Sequence, residues 1–323
     1  MPARRVLITG ATGFVGAVVA RRMIERGHEV HALVRAAHRS WRVDELGDAL
    51  AMHVADLLRP PQLDALFAAV RPHWVLHLAA YGAYSSQADA ARCVRTNVEG
   101  SVNLIDAAAR HGVERFVHTG SSSEYGFKDH APDEDEPLEP NSLYAVTKAA
   151  ATAYARYAGR AGRVHTTTLR LYSVYGPYEE PTRLVPTVIL RGLAGRYPPL
   201  ADPDVARDFV YVDDVASAYE AALAADLPAG AVYNVGTGTQ TTLREVAAVS
   251  RARFGIAAEP EWGTLPPRTW DTTTWVANTA RTRAELGWTP STTFEDGFRR
   301  TAAWLSQSPE RRSFYETART PPE

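Results

Sequence analysis

Three observations predict an α/β chain built on a doubly wound parallel sheet with a smaller, mixed α/β lobe towards the C-terminus. Short apolar runs recur at residues 6–8, 29–34, 49–54, 73–80 and 115–118. Between them apolar residues return at helical spacing, the alternation of a β–α–β architecture. The first run passes directly into Gly10-Ala-Thr-Gly13-Phe-Val-Gly16. A glycine loop between a strand and a helix is where such a sheet receives a phosphate.

The elements follow in order. Val6, Leu7 and Ile8 form a run without polar breaks, as a strand buried on both faces requires. The glycines allow a tight turn and close backbone approach, and the helix behind them points free N–H groups at a pyrophosphate. The spacing is G-x-x-G-x-x-G, and Gly10, Thr12, Gly13, Phe14, Val15 and Gly16 are read as dinucleotide contacts. Val15, Val18, Val19 and Met23 give that helix its apolar face, and Gly27 closes it. The second strand ends in Arg35, with Arg39 and Arg42 behind it. An acid at the strand end would grip a ribose 2′-hydroxyl, whereas Arg35 suits a 2′-phosphate. This favours NADP(H), with NAD(H) the alternative in which Arg35 stacks on adenine or faces solvent. The third strand leads to Asp56 and Leu57, with Asp56 placed for the adenine amino group. The fourth ends in Leu78, Ala79 and Ala80, small enough for a cofactor to lie against them, and His77 within it reads as a core histidine. A helix over about 87–110 and a strand over 115–118 complete this half.

Lys128 and Lys148 are the chain's two lysines among 35 Lys and Arg residues. Lys148 lies four residues after Tyr144, so both share one helix face. An ammonium near a phenol is expected to lower the phenol's pKa and make it an acid/base for an alcohol or carbonyl oxygen.

Taken together, Thr9-Gly10-Ala-Thr-Gly13-Phe-Val-Gly16, Asp56-Leu57, His77-Leu-Ala-Ala80, Asn97-Val-Glu-Gly100, Gly120-Ser-Ser-Ser-Glu-Tyr-Gly126 and Tyr144-x-x-x-Lys148 resemble an extended short-chain dehydrogenase/reductase. The resemblance continues through Arg170-Leu-Tyr-Ser-Val-Tyr-Gly-Pro177, Arg207-Asp-Phe-Val-Tyr-Val-Asp-Asp214 and Leu286-Gly-Trp-Thr-Pro290. It implies a Rossmann sheet acting on a nucleotide-diphosphate sugar. Tyr144 is then the acid/base, Lys148 its partner at the nicotinamide ribose, and Ser121 the hydroxyl that meets the sugar oxygen. Asn97 joins the cofactor contacts. Arg207 and Arg268 are placed at the substrate diphosphate, where a guanidinium binds phosphate bidentately, and Arg183 is a further candidate. Relatives pair helices like 87–110 and 144–158 into the four-helix bundle of a homodimer.

The subclass turns on the residues after Ser121. A 4,6-dehydratase needs an acid and a base there, and this chain has Ser122 and Ser123. Glu124 is one place too far along, where strand alternation turns it away. Dehydration is therefore disfavoured, leaving an NADPH-dependent 4-ketoreductase of a 4-keto-6-deoxy sugar and, as the alternative, an epimerase. The string Gly120-Ser-Ser-Ser-Glu-Tyr-Gly126 resembles reductases of GDP-4-keto-6-deoxymannose and those making CDP-dideoxy sugars. Ser173 stands where many relatives have Asn, a change that removes one donor toward the substrate. Tyr81, Ser122, Ser123, Glu124 and Ser173 are taken as substrate contacts, with Tyr84 and Ser85 in the same loop.

The dinucleotide domain is expected over 1–172 plus about 209–236. The substrate lobe is expected over about 173–208 plus 237–307, with a loosely held polar tail over 308–323. Asp213 and Asp214 read as N-capping acids, and the run 133–136 as a solvated loop edge without metal. A net charge of −2 leaves no electrostatic footprint for nucleic acid or an anionic membrane. The single Cys93, strand-length apolar runs and an N-terminus that enters the first strand directly point to a cytoplasmic protein.

Overall fold

A computed structural model describes residues 2–84, 87–265 and 272–318 of the chain. The first half alternates β1 (Arg5–Thr9), α1 (Phe14–Glu25), β2 (Glu29–Val34), β3 (Leu50–Val54), α2 (Pro60–Val70), β4 (Trp74–His77), α3 (Ala90–Val94), α4 (Gly100–Arg110), β5 (Arg115–Ser121), α5 (Leu143–Arg160) and β6 (Thr166–Leu171). Then come β7 (Ser173–Tyr175), α6 (Leu184–Leu193), β8 (Ala206–Arg207), β9 (Phe209–Tyr211), α7 (Val212–Ala224), β10 (Ala231–Val235), β11 (Thr241–Thr242), α8 (Leu243–Phe254), α9 (Phe294–Ser306) and α10 (Pro309–Thr317).

Seven strands form one parallel sheet in the order β10-β6-β5-β4-β1-β2-β3. The winding reverses between β1 and β4, and the crevice outside their C-terminal ends is the place such a sheet offers to a ligand. Along β1 the side chains alternate between two cores. Val6 and Ile8 face the layer of α1 and α7, while Leu7 faces the layer of α2, α4 and α5. A third core, built on Val188, Ile189, Phe209, Tyr211, Phe298 and Leu305, holds the C-terminal lobe.

Some boundaries differ from the sequence reading. β9 is a strand, but it pairs with β7 in a separate two-stranded sheet. The main sheet takes β10 directly beside β6. α6 starts at Leu184 with Arg183 as N-cap. Pro186 sits in its first turn, where a missing N–H removes no helical hydrogen bond. The helix over 90–110 contains a wider turn at residues 95–99, where the side chain of Asn97 points into the interior. The tail from residue 308 was expected to be loose, yet 309–317 form α10. Its Tyr315 is 1% exposed and donates to the Glu179 carbonyl at 2.7 Å. Two adjacent aromatics, Phe314 and Tyr315, on a helix that otherwise holds no large apolar residue leave little apolar periodicity to read.

Candidate active site

The glycine loop leaves β1 at the winding reversal. Gly10 has φ +75°, a conformation that favours glycine, and a Cβ on it would meet Ala79 N and Leu78 C at 2.7 Å. A Cβ on Gly16 would lie 2.1 Å from the Gly10 carbonyl oxygen. The loop is therefore pressed against the exit of β4. Gly13 caps α1 without a side chain, and the first turn of α1 holds no acid. Its N–H groups thus face an anion with no competing carboxylate of their own. Thr12, Phe14 and Val15 are half-buried around it. Ala79 N donates to the Thr9 hydroxyl at 3.2 Å, and that hydroxyl also meets His77 Nδ1 at 2.6 Å. His77 Nε2 meets Ser101 at 2.9 Å. Burial and then the charge of Lys148 hold His77 down at about 3, so it is a neutral core histidine.

The outer end of the groove is polar and open. Arg35 is exposed, and its guanidinium has no partner among the described residues. Leu57 is buried, while Asp56 is exposed and accepts from Leu58 N at 2.9 Å. Arg42 does not join Arg35. It is 7% exposed and bonds to residues 178 and 180 instead. Asn97, expected as a cofactor contact, has its amide engaged within the protein. Oδ1 accepts from Tyr81 N, and Nδ2 donates to Tyr81 O, both at 2.8 Å, and to Thr147 Oγ1 at 2.9 Å. It fastens the loop after β4 to α5. Leu78 and Ala79 are half-buried beside the groove, and Ala80 is exposed.

Ser121, Tyr144 and Lys148 converge from the end of β5 and the first two turns of α5. The Ser121 hydroxyl lies close enough to the Tyr144 phenol to favour its ionised form. It also accepts from Ser123 N at 3.2 Å, capping a 3₁₀ turn over Ser122–Tyr125. Lys148 is buried and donates to the Thr119 carbonyl at 2.5 Å. The expected lowering of the phenol is not found in the chain by itself. Burial pushes Tyr144 up to about 12, against a smaller downward pull from Ser121. Burial likewise brings Lys148 down to about 8. Desolvation disfavours the charged form of each group, and Lys148 is not among the charges that act on the phenol.

Glu124 was expected at the substrate and is instead part of the floor. It is fully buried and makes a 2.8 Å salt bridge to Arg170 Nε. Its other oxygen accepts from Ser121 N at 2.8 Å and Thr152 at 2.9 Å. The Arg170 Nη1 donates in turn to the Tyr125 hydroxyl and the Glu134 carbonyl. Glu134 is itself 1% exposed and accepts from Asn234 N at 2.9 Å, so the acidic run 133–136 is not simply a solvated edge. Asp214 is not an N-cap either. Tyr211 holds that position, and Asp214 accepts from Ser291 and Thr292 to anchor the loop before α9.

Of the other expected substrate contacts, Ser122 is buried and accepts from Trp275 Nε1 at 3.1 Å, while Ser123 is half-buried. Tyr81 is half-buried under the Arg92 guanidinium, 4.7 Å from its ring centroid. Ser173 is half-buried, its N–H tied to the Asp208 carbonyl. Arg207 lies 5.4 Å from the Trp275 ring centroid and donates to the Ala206 carbonyl. Arg183 is half exposed and its charge reaches Tyr144. Arg268 and Ser85 lie outside the described residues. Asp208, Glu179 and Trp275 were not singled out from the sequence. Asp208 is buried and accepts from Thr237, Gly238 and Ala277 N–H groups. Among the described residues no cluster of His, Cys, Asp or Glu is arranged to hold a metal, and no helix is long and apolar enough to cross a membrane.

A family model described as "NAD dependent epimerase/dehydratase family" matches residues 6–236. The chain is 32% identical to a UDP-glucose 4-epimerase of Mycolicibacterium smegmatis over 93% of its length and 98% of the relative's. It is 30% identical to a dTDP-glucose 4,6-dehydratase of Streptomyces antibioticus, covering 93% and 91% of the two chains. The crystal structure of a Thermus thermophilus UDP-glucose 4-epimerase in complex with NAD has a TM-score of 0.83 at 31% identity, covering 94% of this chain and 99% of that one.

Proposed function

The chain belongs to the NAD dependent epimerase/dehydratase family and is an enzyme of the extended short-chain dehydrogenase/reductase type, and from that premise we propose that it moves a hydride at a carbinol carbon of a nucleotide-diphosphate sugar without dehydrating it. The observation that carries this reading is the Glu124–Arg170 pair. The acid nearest to Ser121 is locked in the floor, and the two places before it are Ser122 and Ser123. A serine has no useful acid/base pKa, so the pair of groups that 4,6-elimination needs is missing although close relatives are named dehydratases.

The groove fits a dinucleotide. Gly10, Gly13 and Gly16 supply a cradle that side chains would fill, α1 supplies free N–H groups, and Leu57, Leu78 and Ala79 supply an apolar wall. Bound there, a nicotinamide dinucleotide would supply the hydride acceptor and donor. Tyr144 removes the proton of the reacting hydroxyl and returns it, and Ser121 orients that oxygen through its hydroxyl. Lys148, one helical turn after Tyr144 and donating to the Thr119 carbonyl, is the proposed positive charge of the site; it is protonated below about pH 8. Arg183, Arg207 and Arg268 are the residues proposed for the substrate diphosphate.

Epimerisation, with the hydride returned to the opposite sugar face, is the first reading because relatives over nearly the whole chain are 4-epimerases. The NADPH-dependent 4-ketoreductase is the second, favoured by the unpartnered Arg35 at the end of β2. A homodimer through the helix over 90–110 (α3 and α4) and α5 is proposed with either. The exposed Val94, Leu143, Val146 and Tyr157 on α3 and α5 support it.

The test is turnover of UDP- and dTDP-linked hexoses and of their 4-keto-6-deoxy forms. C4 interconversion without added reductant supports the epimerase, and reduction coupled to NADPH loss supports the ketoreductase. Formation of a 4-keto-6-deoxy sugar from a hexose would overturn both. Tyr144→Phe is expected to lower turnover by about 10²–10⁴-fold in either case.

A further inference from the structure

A hollow of about 220 Å³ opens at the residue after Ser121. Its wall includes Ser122, Gly126, Lys128, His130, Tyr172 and Trp275. Neighbouring Cα atoms are about 3.8 Å apart, so the hollow begins one residue from the hydroxyl assigned to the reacting sugar oxygen. It is narrow and half open, the size for a substituent of a sugar and not for a second ring.

The wall is rich in donors that have nothing to meet. Tyr172, between β6 and β7, is 6% exposed, and its hydroxyl has no hydrogen-bond partner among the described residues. A buried hydroxyl left unpaired is costly and calls for a partner. The Ser122 oxygen accepts the Trp275 indole N–H at 3.1 Å, and no described residue takes the hydrogen of that serine. Lys128, one of the chain's two lysines, meets Glu139 at 2.6 Å and has further N–H groups to offer. His130 stands between Asp129 and Glu136, at 2.7 and 2.9 Å. No Asp or Glu lines the hollow itself. The side chains of Glu139 and Asp129 are 65% and 99% exposed, where water and salt screen them. Ser122 and Tyr172 are both buried.

We propose that the hollow is a subsite for a carboxylate on the carbon next to the reacting carbinol, which makes the substrate a nucleotide-linked uronic acid. This rests on the epimerase reading above and names its substrate class. Tyr172 and Ser122 donate to the carboxylate oxygens, and Lys128 supplies charge at the rim. A carboxylate only accepts, as a wall of free donors requires. A hydroxymethyl group brings a further hydrogen of its own, and a methyl group leaves every donor unpaired. In a hexuronic acid reacting at C4 the carboxylate carbon is two bonds away, so a sugar whose C4 oxygen meets Ser121 presents it towards Ser122. The 4-keto-6-deoxy substrate of the ketoreductase reading has a methyl group at that place.

The test compares kcat/KM of the full-length protein, supplied with NAD⁺, for C4 epimerisation of UDP-glucuronic acid and of UDP-glucose. Wild type is expected to favour the uronic acid by about tenfold or more, the worth of a hydrogen bond to a charged group. Tyr172→Phe removes only an oxygen that has no partner in the protein, so the fold is kept. It should lower the ratio of uronic acid to hexose about tenfold, and Ser122→Ala should lower it in the same direction. A wild-type preference for UDP-glucose, or an unchanged ratio in Tyr172→Phe, overturns the subsite and leaves the epimerase reading in place. No turnover of either sugar, with the dTDP-linked pair also inert, overturns both.

Discussion

Two buried glutamates, Glu124 and Glu179, have opposite surroundings. Glu124, in the floor, has Arg170 at 2.8 Å, a backbone N–H and a threonine hydroxyl. Glu179, between β7 and α6, is nearly as buried, but one oxygen has no partner and its cation stands at 3.8 Å. Burial pushes Glu179 up to about 8. A buried charge persists when its partners are complete, and otherwise the group takes up a proton. The floor is thus fixed by its own hydrogen bonds, and it holds Ser121 against Tyr144. The segment of Glu179 is held by a few long-range bonds, from Arg42 and Tyr315, and contains a carboxyl still able to donate or accept.

The largest expected effect breaks the floor. Arg170→Met leaves Glu124 buried without its cation, and urea unfolding should show a loss of about 3–5 kcal/mol. A loss below about 1 kcal/mol would mean that the pair is not what fixes the floor. Glu179 should respond with the other sign. The folded-state pKa of Glu179 lies above its ordinary value of 4.5. Its contribution to stability is therefore complete below about pH 4.5 and is lost as pH rises through about 8. Glu179→Gln should remove that fall and be the more stable protein at high pH, by roughly 1–3 kcal/mol. Unfolding at pH 5 and at pH 8.5 should show the gap between variant and wild type widening, and a constant gap would refute the contrast. The smallest effect lies outside both regions. Arg35→Ala should weaken NADPH about tenfold while leaving NADH unchanged, read by titration of each dinucleotide. Equal losses for both would mean that Arg35 meets adenine and not a 2′-phosphate.

The sheet half was largely legible because its signals are local. The strand, glycine loop and helix over residues 5–25 are consecutive, and Tyr144 and Lys148 are one helical turn apart. What stayed hidden is made of distant pairs. Trp275 reaches Ser122 across 153 residues, and Arg42 reaches Glu180 across 138. No periodicity records such meetings. Acids were the least legible class, since Glu124, Glu134, Asp208 and Asp214 are anchors for backbone N–H groups that the sequence cannot place. β9 shows the same limit in a strand. Its alternation marks it as extended but leaves its partner open, and it chose β7 over the main sheet.

The two lobes also exchange aromatics. Trp41, from the sheet half, packs in the core of the C-terminal lobe, and Tyr178 packs against the core beneath the sheet. On the ribosome, where N-terminal elements fold first, Trp41 emerges long before the residues it packs on. Tyr178 reaches it first, and its packing is complete only when α10 brings Phe314 and Tyr315 against it.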